Sequence, residues 1–229
     1  MSGIFVTGTD TGVGKTFVAA SLAAGSLAAG YSVRARKPLL SGLDDAFAEG
    51  VPPDHQLLAA ACGGVEPANI IAPITFGPSV SPHLAAQQAG VDIDIPDMLA
   101  GIRAAGAAAD RLIVEGAGGW RVPITGSYGF LELAADLALP VVVAARPGLG
   151  TINHSLLTIE SIRAAGLEVR CVIFGPWPQA PNSMELDNIA TVELLGDVAV
   201  ATLPQIDNQD AEAFAAAGAD LPLEEIFRS

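Results

Sequence analysis

The sequence predicts an α/β fold with a mostly parallel sheet and helices on both faces. Two observations lead there. Short apolar runs alternate along the chain with alanine-rich helical stretches, the order that parallel strands joined by crossover helices require. The first run also enters a glycine-rich turn directly, and a helical stretch follows at once. A length of 229 residues suits one such domain with a full core. No repeat, low-complexity tail or linker divides it, so residues 1–229 are expected to form a single domain.

Taken in order, Ile4–Thr7 is an apolar run ending at Gly8, which reads as a buried strand. Lys15–Ala29 is helical in composition, and Gly30 can end it. Ser32–Arg36 reads as the next strand, closed by Lys37-Pro38. Residues 38–53 hold Gly, Pro, Asp and Ser and read as loop. Asp54–Cys62 can be a helix, with Gly63-Gly64 after it. Ser81 is placed to N-cap a helix whose first residue is Pro82. Ile95–Ala109 is another helical stretch. Arg111–Glu115, Pro140–Ala145, Val169–Phe174 and Val198–Leu203 read as apolar strands. Helical patterns lie between most of them, notably Asn153–Ala165.

Composition excludes several classes. The net charge of −14 argues against a nucleic-acid partner and against an anionic membrane surface. No apolar run is long enough to span a bilayer. The N-terminus lacks the basic stretch of a signal peptide. Cys62 and Cys171 form no disulfide framework and no metal-ligand spacing, and both lie in apolar surroundings. A soluble cytoplasmic protein is expected. Nine of the eleven basic residues are arginine, and the two lysines are Lys15 and Lys37. A surface covered without lysine suggests that a compact ammonium is required where lysine does occur.

In a parallel sheet, ligands bind at the carboxyl ends of the strands. Those ends are Thr7-Gly8, Lys37-Pro38, Glu115-Gly116, Arg146-Pro147 and Phe174-Gly175. The segment GTDTGVGKT at 8–16 is one residue longer than the phosphate-loop pattern G-x-x-x-x-G-K-[ST]: counting back from Gly14-Lys15-Thr16, the first glycine is due at Thr9 and stands at Gly8. Its strand–loop–helix context is that of a phosphate loop, so a P-loop NTPase fold is expected. Lys15 would reach the β- and γ-phosphates, and Thr16 would offer its hydroxyl to Mg²⁺. A glycine-rich turn without a ligand is the plainer alternative, and the ordered strand, Gly-Lys-Thr and helix argue against it.

Three other residues have chemistry to offer, each beside a plainer reading. Glu115 ends a strand before Gly-Ala-Gly-Gly and reads equally as a Mg²⁺ ligand or an exposed turn acid. Asp54 opens a helix after Pro52-Pro53 and reads as a metal ligand or as an acid favoured by the helix dipole. Surface lysines are mostly solvated, but Lys37 lies at a strand end, with Ser41 following in a glycine-containing loop. His83 and His154 lie at helix starts and read as structural.

These residues together resemble the dethiobiotin synthetases, a deviant P-loop family of ATP-dependent enzymes. The resemblance runs nearly the whole chain through VTGTDTGVGKT at 6–16, KPLLSG at 37–42, SPH at 81–83, VEGAGGWRVPI at 114–124 and LGTINHSLLTIE at 149–160. The longer Gly8-to-Gly14 spacing is this family's habit. The resemblance implies a ligase that joins carbon dioxide to 7,8-diaminononanoate and closes a cyclic urea with ATP, by way of a carbamate and a carbamic–phosphoric anhydride. It implies Lys15 and Lys37 as catalytic cations, and Thr16, Asp54 and Glu115 as holders of Mg²⁺. Nucleotide contacts fall on Gly12, Val13, Gly14, Lys15, Thr16, Phe17, Asp54, Glu115, Gly116, Ala117 and Gly118, with Gly175, Pro176 and Pro204 near the base. Substrate contacts fall on Thr11, Lys37, Ser41, Gly118, Gly150 and Asn153. A homodimer with substrate at the subunit interface is implied too. Leu156, Leu157, Ile159 and Ile162 make the helix after Gly150 more apolar than a solvated helix requires, which suits either an interface or the core.

Two positions depart from the family. Gly12 stands where many members carry Glu. Gly175-Pro176 stands where many carry Asn-Asp, whose Asn reads adenine. Triphosphate binding should survive, while base selectivity is opened to other nucleotides such as CTP. Another P-loop reading is a partner-regulated ATPase of the partitioning type. Asp10 stands where that type usually has a second lysine, and residues 207–229 are acidic. An amidotransferase-linked synthetase would need a glutaminase domain. A dead binding protein would not be expected to keep Lys15, Thr16, Lys37, Asp54 and Glu115 together.

Overall fold

The computed structural model describes residues 2–49 and 52–228. The elements are β1 (Ser2–Gly8), α1 (Lys15–Ala28), β2 (Val33–Arg36), β3 (Leu39–Leu40), α2 (Leu43–Glu49), α3 (Asp54–Ala61), α4 (Ala68–Ile71), β4 (Ile74–Thr75), α5 (Pro82–Ala89) and α6 (Ile95–Ala107). They continue with β5 (Arg111–Glu115), α7 (Phe130–Leu137), β6 (Val141–Ala145), α8 (Thr151–Ala164), β7 (Val169–Trp177), α9 (Ser183–Gly196), β8 (Val200–Pro204), α10 (Ala211–Ala219) and α11 (Leu223–Ile226).

Six strands form one sheet in the order β2-β5-β1-β6-β7-β8, and every neighbouring pair is parallel. Period-two alternation assigns each strand residue to a face. Ile4, Val6, Ile113, Val142 and Ile173 join one apolar cluster with residues of α1, α3 and α10. Phe5, Leu112, Val114, Val143 and Phe174 join the other, with residues of α6, α7, α8 and α9. The expected α/β P-loop architecture with helices on both faces is therefore what the chain forms.

Helix α1 is buried almost all round, from Lys15 to Ser26 apart from half-buried Phe17. That explains its alanine and glycine content, because it lies between the sheet and two further helices. At its crossing with α10 the backbones touch. A Cβ on Gly218 would come within 2.1 Å of the Ser21 carbonyl oxygen, and one on Gly25 within 2.9 Å of Gly218.

The expectation of an uninterrupted loop over 38–53 is corrected. Leu39-Leu40 pairs in parallel with Ile74-Thr75 as a separate two-stranded sheet, and Leu43–Glu49 is helical. A two-residue strand has no periodicity to read, and its partner lies far along the chain. Two acids, Asp44 and Asp45, occupy the first turn of α2, where the helix dipole favours them. Residues 50 and 51 of that expected loop lie outside the described residues. Smaller shifts occur at element ends. Strand β7 runs on through Gly175 and Pro176 to Trp177, and α8 begins at Thr151, which puts Asn153 in its first turn. Ser81 does precede α5 with extended backbone, but its side chain makes no capping bond.

Candidate active site

β1 lies at the centre of the sheet, and the chain order reverses across it, since β5 and β2 fall on one side and β6 on the other. A crevice at the carboxyl end of such a strand is where open parallel sheets bind ligands. The loop after Gly8 turns there. Gly8 has no room for a side chain, because a Cβ would fall 2.6 Å from Val13 Cγ2 and 3.0 Å from Lys15 Cγ. Val13 is turned into the core, 3% exposed. Gly12 and Gly14 adopt φ of 73° and 85°, a left-handed conformation that costs glycine little. Gly14 is the N-cap of α1, whose first residue is Lys15. The first turn of a helix leaves N–H groups without helical partners, and they make a site for an anion.

Four side chains, two from strand ends and two from helix starts, converge beside this loop. Thr16 donates its hydroxyl to Glu115 Oε1 at 2.8 Å. The Lys37 ammonium donates to the same oxygen at 2.5 Å and to Asp54 Oδ2 at 2.5 Å. Glu115 is fully buried at the end of β5, and its other oxygen, Oε2, is buried with no hydrogen-bond partner. Lys15 donates to the Asp10 carbonyl at 2.9 Å.

Burial and pairing set the charges. Burial opposes charge on Lys37, but Glu115 and Asp54 outweigh it and push its pKa up to about 12. Burial dominates at Lys15, lowering its pKa to about 8 despite Glu115 nearby. Burial likewise raises the Glu115 carboxyl, with Lys37 acting against it. Partial burial works against charge on Asp54, yet Lys37 holds that carboxyl below its usual range. The cysteines are inert by comparison: burial pushes both thiols up to about 12.

The cleft has a volume of about 580 Å³. Thr11, Gly12, Gly14, Lys15, Thr16, Phe17, Lys37, Ser41, Asp54, Glu115, Ala117 and Gly118 line it, all of them singled out from the sequence. Val13 and Gly116 instead support it from behind, the latter because a Cβ there would press on Phe5 and Phe130 at 3.3 Å. Gly175, Pro176 and Pro204 lie at the ends of β7 and β8, where Trp177 pairs with Pro204, and Gly150 and Asn153 lie at the start of α8. Neither group reaches the cleft wall among the described residues. One wall was missed: Leu40, Ser79, Val80 and Val122 also line the cleft, as do Ser81 and Pro82, which the sequence offered as a helix start and as part of a family motif without a site role. Ser41 donates to the Val80 carbonyl at 2.7 Å, and the Ser79 hydroxyl donates to Asp45. The segment 79–82 thus becomes part of the site where the pairing of β3 with β4 brings the chain beside Leu40 and Ser41.

Among the described residues, no three His, Cys, Asp or Glu side chains cluster as a metal site. The donors here are two carboxylates and a hydroxyl, all hard oxygens, and Glu115 Oε2 is an orphaned buried acceptor. That set fits Mg²⁺, which is usually held by one or two carboxylates plus waters and substrate phosphates.

Residues 2–213 match the model of an AAA domain family. The ATP-dependent dethiobiotin synthetase of Anaeromyxobacter dehalogenans strain 2CP-C is 40% identical over 205 residues, covering 89% of this chain and 90% of that protein. The chain belongs to the dethiobiotin synthetase family. The synthetase of Pseudomonas aeruginosa PAO1 extends the match, at 38% identity over 94% of this chain and 95% of its own. The protein is accordingly a ligase. A ParA family ATPase from Chlorobium tepidum TLS superposes with a TM-score of 0.52 over 99% of this chain and 95% of that one, at 13% identity. The MinC:MinD cell division complex of Aquifex aeolicus gives 0.53 over 100% and 95%, at 14% identity. Those likenesses concern the fold alone. No described helix is long and apolar enough to cross a membrane.

Proposed function

We infer that this protein makes dethiobiotin from 7,8-diaminononanoate, carbon dioxide and ATP, with ADP and phosphate as the other products. The observation that supports this reading most is the junction of two lysines, two carboxylates and a threonine hydroxyl beside the phosphate loop. In the proposed sequence an amine of the substrate captures carbon dioxide as a carbamate, losing a proton. The carbamate oxygen attacks the γ-phosphorus and ADP leaves. The second amine then attacks the carbamoyl carbon, closes the ring and expels phosphate.

The chain's own work in this scheme is to bring two anions together and hold them in line. Lys15 and the first turn of α1 hold the triphosphate, with Gly12, Gly14, Thr16, Phe17, Ala117 and Gly118 shaping the floor around it. Lys37 and Ser41 hold the carbamate end, with the backbone near Thr11 and Gly118. The ammonium groups stabilise charge on the transferring phosphoryl group. No covalent enzyme intermediate is required, and positioning supplies much of the acceleration. Thr16, Asp54 and Glu115 would hold Mg²⁺. When bound, that ion neutralises charge on the β- and γ-phosphates.

The loop's extra residue leaves space for the substrate beside the γ-phosphate. Gly175, Pro176 and Pro204 would border the base, where glycine offers no amide to read adenine, so CTP and other triphosphates are admitted alongside ATP. Gly150 and Asn153 would meet the substrate's carboxylate tail across a homodimer interface. Support for that interface is the apolar surface near α8 and α9: Leu149 is 82% exposed and Leu194 79%, and such residues in a patch mark interaction sites. The apolar residues of α8 divide between the two readings, since Ile159 and Ile162 are core while Leu157 is exposed. A cytoplasmic location fits two free, buried cysteines.

The deciding experiment incubates the purified protein with Mg²⁺, bicarbonate and ATP, with and without 7,8-diaminononanoate, and follows phosphate and product mass together. Phosphate release that needs the diamine and yields the cyclic urea is expected. Hydrolysis indifferent to the diamine, with no urea, would favour the partitioning-type ATPase instead.

A further inference from the structure

Lys37 and the metal compete for one position. Its ammonium lies 2.5 Å from Asp54 Oδ2 and 2.5 Å from Glu115 Oε1, and Thr16 donates to that same Glu115 oxygen. These are the three residues whose oxygens fit Mg²⁺. An ammonium and a divalent cation cannot both rest on one pair of carboxylates, because each would lose its ligands and the two would repel.

We propose that Lys37 is the resident cation of the metal position in the nucleotide-free protein, and that Mg²⁺ arriving with the nucleotide displaces it toward the substrate. The inference rests on the nucleotide-binding reading given above.

Three features make the exchange workable. The backbone of Lys37 is anchored, its N–H bonded to the Ile71 carbonyl at 2.9 Å, so the side chain alone must move. That side chain is a flexible four-carbon stem ending in a point charge. The cleft that holds Asp54 and Glu115 also presents Ser41 and the Val80 segment, so the ammonium has an open space to enter. The arrangement also answers a need of the free protein. Glu115 is fully buried and would otherwise face Asp54 with only Lys15, which forms no ion pair with either, to offset the two charges. Lys15 is parked in a comparable way, on the Asp10 carbonyl. Two consequences follow. Free metal binds weakly without nucleotide, because it must evict a hydrogen-bonded ammonium. The cation that meets the carbamate is delivered only when the metal–nucleotide complex is in place.

Lysine composition makes the test direct. The chain has two lysines, so selective ¹³C/¹⁵N labelling of lysine gives one NMR reporter for each. The full-length protein would receive the non-hydrolysable β,γ-imido analogue of ATP with EDTA, and then excess Mg²⁺. The analogue alone should move Lys15, and Mg²⁺ should then move Lys37. A Lys37 signal that moves fully with metal-free analogue, or that ignores Mg²⁺ while Lys15 responds, overturns the exchange. A Lys15 signal that never responds overturns the nucleotide reading and the exchange with it. A second arm measures Mn²⁺ binding by electron paramagnetic resonance without nucleotide. Lys37→Met should bind Mn²⁺ at least tenfold more tightly than the unmodified protein, and equal affinity would refute the competition.

Discussion

Replacing Lys37 by alanine should destabilise the protein in a way that depends on pH, and the size can be worked out. Removing the ammonium leaves Glu115 fully buried with one remaining hydrogen bond, from Thr16. One outcome is an uncompensated buried carboxylate, worth about 3–5 kcal/mol. The other is protonation of Glu115. Forcing a carboxyl with an ordinary value of 4.5 to stay protonated at pH 7 costs about 3.4 kcal/mol, at about 1.36 kcal/mol per pH unit. The cheaper route limits the loss, so about 3 kcal/mol is expected at pH 7.

The pH dependence has a definite sign. Burial already raises the Glu115 carboxyl above its unfolded value with Lys37 acting against it, and the variant removes that opposition. The folded variant therefore binds the proton more tightly than the unfolded chain, and stability falls as pH rises above 4.5. At pH 5 the protonation penalty shrinks to about 0.7 kcal/mol. Lys37 itself adds no slope in this window, since its stabilisation is lost only between 10.5 and about 12. Urea unfolding of parent and variant at pH 5 and pH 7 measures both differences. A loss below about 1 kcal/mol at pH 7, or one equal at both values, would show that Glu115 does not depend on Lys37.

Other expectations concern activity and packing. In the complete reaction Lys37→Ala should abolish ring closure nearly entirely while calorimetry finds triphosphate binding largely kept, and ring closure at the normal rate would remove Lys37 from the mechanism. Lys15→Ala should weaken triphosphate binding by tenfold or more, because a charge-assisted contact is worth about 1.5–3 kcal/mol; calorimetry with the β,γ-imido analogue reads it. Gly218→Ala forces a Cβ to within 2.1 Å of the Ser21 carbonyl and should destabilise by about 1–3 kcal/mol, seen as a melting point lower by several degrees. Gly175→Asn should raise the ratio of kcat/KM for ATP over CTP. Its Cβ would rest 3.3 Å from Leu203, tight but not prohibitive, and an unchanged ratio would detach this position from the base.

The parts whose chemistry is local were legible in the order of the residues alone. A strand, a glycine loop and a helix in immediate succession place Lys15 and Thr16 without any distant contact, because a helix N-terminus makes its own anion site. Apolar strands alternating with helices determine a parallel sheet, and a parallel sheet puts Lys37, Glu115 and Phe174-Gly175 at one edge. How those ends meet follows from packing between distant segments. That Lys37 bridges Asp54 and Glu115 depends on β2 and β5 being neighbours while the end of β5 faces the start of α1. Strand order is set by which apolar faces bury one another, which no short window records. The segment 38–49 shows the limit most plainly. Its two-residue strand and short helix have too little periodicity to announce themselves, and they form because β4 lies 35 residues away, ready to pair. The same pairing brings Ser79, Val80, Ser81 and Pro82 to the cleft. The residues that make the chemistry are legible one by one, whereas the wall that shapes the space around them is a product of contacts between segments far apart in the chain.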